Sequence, residues 1–139
     1  TAANFIKPDL NFTLDVGIAG DTPGLEVHNM NADLGKGPII LLADASLIPH
    51  RKLKDFVLAT AKEINIPIQL STMVGGGTDA GSIHLAEAGV PSISFGIPTR
   101  YIHSHNSIFN IKDYNNLKKL LVTLIQRIDD NKLKELKEF

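Results

Sequence analysis

The sequence predicts an α/β fold in which helices pack on a sheet. Two observations carry this. Apolar residues recur with strand-like and helix-like periods in turn along the chain, giving strand, helix, strand, helix, strand, helix. The 139 residues are also 43% hydrophobic, enough for one domain-sized core. No internal repeat, low-complexity tract or linker interrupts the pattern. The chain reads as one domain, or as one part of a domain.

The first strand is expected over Asn11 to Ala19 (NFTLDVGIA), rich in strand formers and closed by the turn Gly20-Asp21-Thr22-Pro23-Gly24. Residues 25–37 hold Asn, Asp and Gly breaks and read as a loop or a short edge hairpin. Ile39 to Ala43 (IILLA) is a continuous apolar run, the pattern of a strand buried on both faces. The period then changes. Leu53, Phe56, Val57, Thr60, Ala61 and Ile64 recur at three and four residues, predicting a helix from about His50 to Asn65. Ile66-Pro67 ends it, because proline disfavours helical backbone at the residue before it. Ile68 to Val74 reads as a strand and Gly75-Gly76-Gly77 as a sharp break. A helix capped by Thr78 or Asp79 is expected to run to Ala88, with Gly89 at its end. Pro91 to Phe95 reads as another strand, followed by irregular chain through Asn110. Leu117, Leu120, Leu121, Leu124, Ile125 and Ile128 form a helical stripe, and the charged tail from Asp129 is expected to continue or fray that helix.

Composition removes several classes of function. Net charge is −1 and the basic residues are scattered, so no basic stripe is offered to a nucleic acid. The apolar runs are short and broken by Asp, Gly or Pro, so none is expected to span a membrane. There is no cysteine, so any metal has to be held by histidine and carboxylate. That absence also fits a cytoplasmic protein. The chain starts Thr1-Ala2-Ala3, without methionine or a helix-start signal, and reads as entered in the middle.

Four segments could carry chemistry. Asp15 sits inside the apolar first strand, where a buried ionised carboxylate needs a partner or a metal. It either points to solvent, pairs with a lysine, or serves a ligand site at the sheet end. Arg100-Tyr101-Ile102-His103-Ser104-His105 places two histidines two residues apart, on one face if the chain is extended. The alternative is a surface loop. His28, His50 and His84 fall in polar or helical positions and are expected to be solvated. Gly75-Gly76-Gly77-Thr78-Asp79-Ala80-Gly81 joins a strand to a helix, and its glycines would let a ligand approach the backbone. It lacks the Gly-Lys-Ser/Thr of a phosphate-binding loop. Asp21-Thr22-Pro23-Gly24 is explained by a turn alone. No Gly-x-Ser-x-Gly elbow is present, against a serine hydrolase of α/β type. Spacing identifies no carboxylate pair for glycoside hydrolysis, a class left without support.

The stretches TLDVGIAGDTPG, LGKGPII, IPIQLSTMVGGGTDAG and EAGVPSISFGIPTRYIHS, with the final leucine-rich helix, resemble the tetrahedral or glutamyl-type aminopeptidases, a family of cytosolic dinuclear-zinc exopeptidases. They follow the family's order and span essentially the whole chain. Some members carry an endoglucanase label. The resemblance implies a three-layer α/β/α catalytic domain interrupted by a small β-barrel, assembled into a homo-oligomer and acting on peptides. It also implies two metal ions held by two histidines, two aspartates and a glutamate, with a second glutamate as base. Asp15 falls on the terminal aspartate ligand and His103 on the second histidine, one for each ion. Nitrogen and oxygen donors suit zinc, and also cobalt or manganese. Gly76, Gly77, Thr78 and Asp79 correspond by analogy to a wall of the substrate pocket. Arg100 is left open between a contact to substrate or subunit and a structural salt bridge.

In the family the first histidine, the bridging aspartate and the two glutamates lie upstream of the segment that Thr1 to Phe5 matches. Residues 1–139 are thus expected to be the C-terminal portion of the catalytic domain, without the barrel, without a catalytic base and inactive alone. The competing readings are a metal-free binding or assembly module of the same fold, and a carbohydrate hydrolase.

Overall fold

A computed structural model of the chain describes residues 2–25 and 32–138. Helix α1 (Ala2–Ile6) leads into strand β1 (Asn11–Ile18), followed by β2 (Ile39–Ala43), helix α2 (Arg51–Glu63), β3 (Gln69–Thr72) and a one-turn helix α3 (Ala80–Ile83). Strand β4 (Ser92–Arg100), the short β5 (Ile108–Phe109) and helices α4 (Ile111–Gln126) and α5 (Asp130–Lys137) complete the order. The strands described form one mixed sheet in the order β1-β4-β2-β3, with β5 pairing β4 beyond that path. β1 runs parallel to β4, and β2 parallel to β3, while β2 and β4 are antiparallel. The fold is α/β, a mixed sheet flanked by helices.

Side chains alternate across a strand, so the β1–β4 register decides what each face carries. Phe12 stands beside Ile93, Leu14 beside Phe95 and Val16 beside Ile97. This face packs against α2, α4 and α5 through a core of Ile40, Leu53, Val57, Ile93, Phe95, Leu120 and Leu124. Phe12 and Phe95 meet edge to face, their centroids 5.9 Å apart. Each large side chain buried this fully contributes about 1.5–3 kcal/mol, which makes this layer the main source of stability. The other face presents Thr13, Asp15 and Gly17 beside Ser94, Gly96 and Pro98. It is covered only in part, by α3 and the chain that follows it, which with α1 forms a small second cluster of Ala3, Ala86 and Val90. The cleft described below lies on this face.

Several boundaries move from their expected places, each for a local reason. Helix α2 ends before Pro67 acts. Asn65 takes a left-handed φ of 55°, its N–H donates to the Lys62 carbonyl, and the Ile66 N–H donates to that of Ala61. This paired closure satisfies the last carbonyls of the helix. β3 stops at Thr72, where the register with β2 shifts. α3 is one turn and not a helix to Ala88. Asp79 holds the N-cap position, one of the two expected, but makes no side-chain cap bond, and the chain turns through 84–88 with Glu87 at φ 53°. The fold needs that turn to bring Ala86 and Val90 onto Ala3.

β4 passes Phe95 and continues to Arg100 despite Pro98. The Thr99 carbonyl accepts from the Ala19 N–H on the β1 side, so the neighbouring Pro98 nitrogen faces away from β1. β2 has already left the ladder there, its pairing with β4 ending at Phe95 and Gly96, so the missing N–H is tolerated. Nor does the tail continue α4. Arg127 closes that helix and Asp129 caps a separate one, accepting from the Lys132 N–H at 2.7 Å. In β2 only the first residues are fully buried, and Leu41, Leu42 and Ala43 are half-exposed toward the cleft end.

One buried charge fixes α4. Asp113 is fully enclosed and accepts the Gly35 and Gly37 N–H groups at 2.7 and 2.8 Å. Gly37 has φ 107°, and a Cβ there would lie 2.1 Å from the Pro67 carbonyl oxygen, so glycine is required. No helix among the described residues is long and apolar enough to cross a membrane.

Candidate metal-binding cleft

The cleft begins at Asp15. Its carboxylate is solvent-accessible, and its Oδ1 accepts the neighbouring Val16 N–H at 2.7 Å. Opposite Asp15 in the register is Gly96, and Gly17 follows on the same face. An added Cβ on Gly96 would sit 3.3 Å from the Gly17 nitrogen, and one on Gly17 would sit 2.5 Å from Ile39 Cδ1. The glycines therefore bring bare backbone beside the carboxylate, with the Ile39 side chain packed into the room that Gly17 leaves. The cleft over this backbone has a volume of about 240 Å³ and is bordered by Ile39, Leu41, the segment Gly75–Thr78, and His103.

His103 reaches the cleft from a tight turn, not from an extended strand. Tyr101 and His103 both adopt a left-handed φ of 60°. That conformation is uncommon for a residue with a side chain and costly for a bulky one such as tyrosine. The turn holds it by convergence on one carbonyl. The Tyr101 oxygen lies 2.5 Å from the Ser104 hydroxyl and 3.2 Å from that of Ser107. β5 then returns antiparallel to Thr99 and Arg100. Because the chain curls, His103 and His105 do not share a face. His103 borders the cleft and His105 is exposed outside it.

Arg100 closes the base of this turn as a structural ion pair. Its Nε and Nη2 both donate to the Asp21 carboxylate, tying the end of β4 to the turn after β1. The guanidinium holds Asp21 below the usual carboxylate range. The turn at Thr22 is secured by its hydroxyl, which donates to the Ala19 carbonyl at 2.6 Å.

The glycine-rich segment divides in two. Gly75 has open space around it and Gly76 takes φ 94°, so these two present backbone to the cleft. Gly77 and Gly81 answer a different need. A Cβ on either would collide with Ser46 Oγ, at 2.7 and 1.9 Å. Thr78 borders the cleft, but Asp79 does not. It lies in a separate depression with Ala2, Ile6 and Ser82.

Sequence reasoning missed Asp44, Ser46 and Ser94, which hold that segment. The Asp44 carboxylate accepts from the N–H and hydroxyl of Ser46, the N–H of Leu47, and the N–H and hydroxyl of Thr78. The Thr78 hydroxyl also lies 2.8 Å from Ser94 Oγ. An aspartate directly after an apolar strand and two residues before a serine is a turn signal that could have shown it.

The other histidines lie apart from the cleft. His50 is half-buried at the start of α2, where burial, and then the charge of Lys52, lower its pKa; it is not the solvated group expected. The half-buried His84 ring contacts the Ala80 carbonyl at 3.1 Å. His28 lies outside the described residues.

Asp15 and His103 offer an oxygen and a nitrogen donor of the kind a divalent metal takes. No group of three or more such side chains occurs among the described residues. Catalytic zinc commonly takes about three protein ligands. The donor types fit and the donor number does not, so no reaction step is derived through a metal from these residues alone.

Comparison with known proteins decides the family. The model for M42 glutamyl aminopeptidases matches residues 1–120. The chain belongs to the M42 glutamyl aminopeptidase family. It is 39% identical to the glutamyl aminopeptidase of Lactococcus lactis subsp. cremoris, over 96% of this chain and 36% of that protein. The crystal structure of a TET aminopeptidase from the marine sediment archaeon Thaumarchaeota archaeon SCGC AB-539-E09 superposes with a TM-score of 0.93 at 46% identity, covering 98% of this chain and 38% of that one. The Pyrococcus horikoshii TET1 peptidase, described as assembling into a tetrahedron or a large octahedral shell, gives a TM-score of 0.64 at 26% identity, over 88% and 36%. The chain thus spans well under half the length of these relatives. M42 is a metallopeptidase family, and membership implies use of divalent metal.

Proposed function

We propose that the protein carrying this chain is a metal-dependent aminopeptidase that removes N-terminal residues from peptides. Asp15 and His103 each donate to one of two divalent ions, zinc being the ion their oxygen and nitrogen donors suit. The observation that carries the reading is convergence. Two residues far apart in sequence border one cleft, and the exposed backbone of Gly75 and Gly76 forms part of its wall.

When bound, such ions polarise a scissile carbonyl and lower the pKa of a water. This chain's own part is to bind and orient. Asp15 projects from a strand and His103 from a hydrogen-bonded turn, so both donors stand on rigid supports. The apolar side chains of Ile39 and Leu41 and the bare backbone at Gly96 leave room for a substrate side chain. The further ligands and the general base belong, in this reading, to parts of the protein outside residues 1–139. This stretch is the C-terminal portion of the catalytic domain and by itself turns over no substrate. Assembly into a homo-oligomer and a cytoplasmic location are part of the same proposal, the first supported by the tetrahedral or octahedral assembly of the Pyrococcus relative.

The test is hydrolysis of aminoacyl anilides by the intact protein. Turnover should vanish with a chelator, return with zinc, cobalt or manganese, and fail on N-acetylated substrates. Turnover that resists chelation, or that accepts blocked amino groups equally, would refute the reading.

A further inference from the structure

We propose that Asp44 is a positioning residue for substrate binding: its carboxylate clamps Thr78, and through Thr78 it holds the Gly75–Thr78 backbone as a fixed wall of the cleft. The inference rests on the aminopeptidase reading for its functional consequence and on geometry for its structural one.

The two carboxylate oxygens have separate duties. Oδ1 accepts from the Ser46 N–H at 2.7 Å, the Ser46 hydroxyl at 2.8 Å and the Leu47 N–H at 2.8 Å, and so organises the turn that follows β2. Oδ2 accepts from the Thr78 N–H at 3.2 Å and the Thr78 hydroxyl at 3.0 Å, and so reaches across to the cleft. With its proton committed to Asp44, the Thr78 hydroxyl accepts from Ser94 Oγ on β4, where the two oxygens are 2.8 Å apart. The same turn adds a further tie, because the Ala45 N–H donates to the Gly76 carbonyl at 3.0 Å. Ser46 fills the space that Gly77 and Gly81 leave open.

Glycine at 75, 76 and 77 would by itself give a loose wall, since glycine has the largest conformational freedom to lose. A wall that orients a substrate has to be ordered before the substrate arrives, or binding supplies the ordering cost. The Asp44 clamp supplies that order beforehand. Five donors surround the carboxylate, so an amide in its place keeps the Oδ1 set but sets an NH2 donor against the Thr78 donors. Asp44→Asn therefore separates the clamp from the turn.

The experiment uses the intact protein as wild type, Asp44→Asn, Thr78→Val and Thr78→Ser. Asp44→Asn and Thr78→Val should raise KM for substrates with a large N-terminal side chain by about tenfold, the order expected for a lost charge-assisted hydrogen bond. Their kcat and bound-metal content should stay near wild type, and Thr78→Ser should restore KM. Hydrogen exchange should accelerate across 75–78 in Asp44→Asn without changing in α2 or α4. Unchanged KM, or loss of kcat, metal and global exchange protection together, would overturn the proposal. So would equal behaviour of Thr78→Ser and Thr78→Val. If the wild type hydrolyses no aminoacyl substrate, the aminopeptidase reading falls, and the exchange result alone decides whether the clamp exists.

Discussion

Asp15 of β1 stands directly opposite Gly96 of β4 in the parallel register, so the carboxylate looks across a backbone surface with no side chain beside it. Gly17 extends that surface, and an added Cβ there would lie 2.5 Å from Cδ1 of the buried Ile39. The pairing gives Asp15 access to a ligand that a β-branched partner would deny.

Gly96→Ala tests this arrangement. Its Cβ would press on the Gly17 backbone and Ile39 Cβ at 3.3–3.5 Å, groups with little freedom to move. We expect a stability loss of about 1–3 kcal/mol in thermal melts, as for other overpacked sites, and reduced kcat/KM in the intact protein. Gly17→Ala would set its Cβ 2.5 Å from Cδ1 of the buried Ile39 and should cost at least as much stability, but should lower kcat/KM less because Gly17 does not stand opposite Asp15. Equal losses of kcat/KM in the two substitutions would count against a specific role for the backbone beside Asp15.

The two histidines of the 101–107 turn should separate in function. His103→Ala in the intact protein should lower kcat by more than about a hundredfold while leaving the fold intact, as expected when a metal site loses its support. His105→Ala should be near wild type, because His105 is exposed and outside the cleft. Steady-state assays showing equal losses would mean that the turn, and not the His103 ring, is what matters.

The acid side of the stability profile follows from Asp21 and Asp44. Arg100 lowers the pKa of Asp21. For Asp44, burial is the largest single influence and acts upward, but the hydrogen bonds from Ser46, Thr78 and Leu47 together outweigh it and the pKa is lowered. A folded pKa below the unfolded one means the stabilisation is complete above the ordinary aspartate value of 3.8 and is lost as pH falls through the folded pKa. Urea midpoints should therefore be level from neutral pH down to about 5 and drop below about 4. Asp44→Asn should flatten part of that drop. An unchanged slope in Asp44→Asn would show that its bonds contribute nothing to the difference.

Much of the fold was legible and less of the site was. The strand at Ile39 to Ala43 and the helical stripe from Leu117 to Leu124 needed no tertiary information, although only Ile39 and Ile40 of that strand are buried and its end toward the cleft is half-exposed. The segment from Asp79 to Ala88 misled because its alanines and leucine fit a helix, whereas the chain had to turn to place Val90 against Ala3 ahead of β4. Pro98 misled in the opposite direction, because only pairing shows which way its nitrogen faces. Asp15 and His103 were found through the resemblance to a family, not through spacing, and a pair so distant in sequence has no local signature. Asp44 carries a local turn signal with Ser46, but its tie to Thr78 has none, because only the fold brings the two near.

Substrate choice should follow the side chains on the cleft. Ile39, Leu41 and Met73 border it, and neither lysine nor arginine does among the described residues. The intact protein should prefer leucyl over glutamyl anilide by roughly tenfold or more in kcat/KM, because an acidic side chain would be desolvated without a cation. A preference for the glutamyl substrate would show that a basic group from outside this cleft lining completes the pocket.

Anomalous X-ray diffraction at the zinc edge from crystals of the intact, zinc-loaded protein tests the central claim most directly. The account predicts two adjacent peaks, one at bonding distance (about 2.0–2.2 Å) from Asp15 oxygen and the other from a His103 ring nitrogen. Zinc bound elsewhere with both side chains free, or no ordered zinc in the cleft of an active protein, would contradict it.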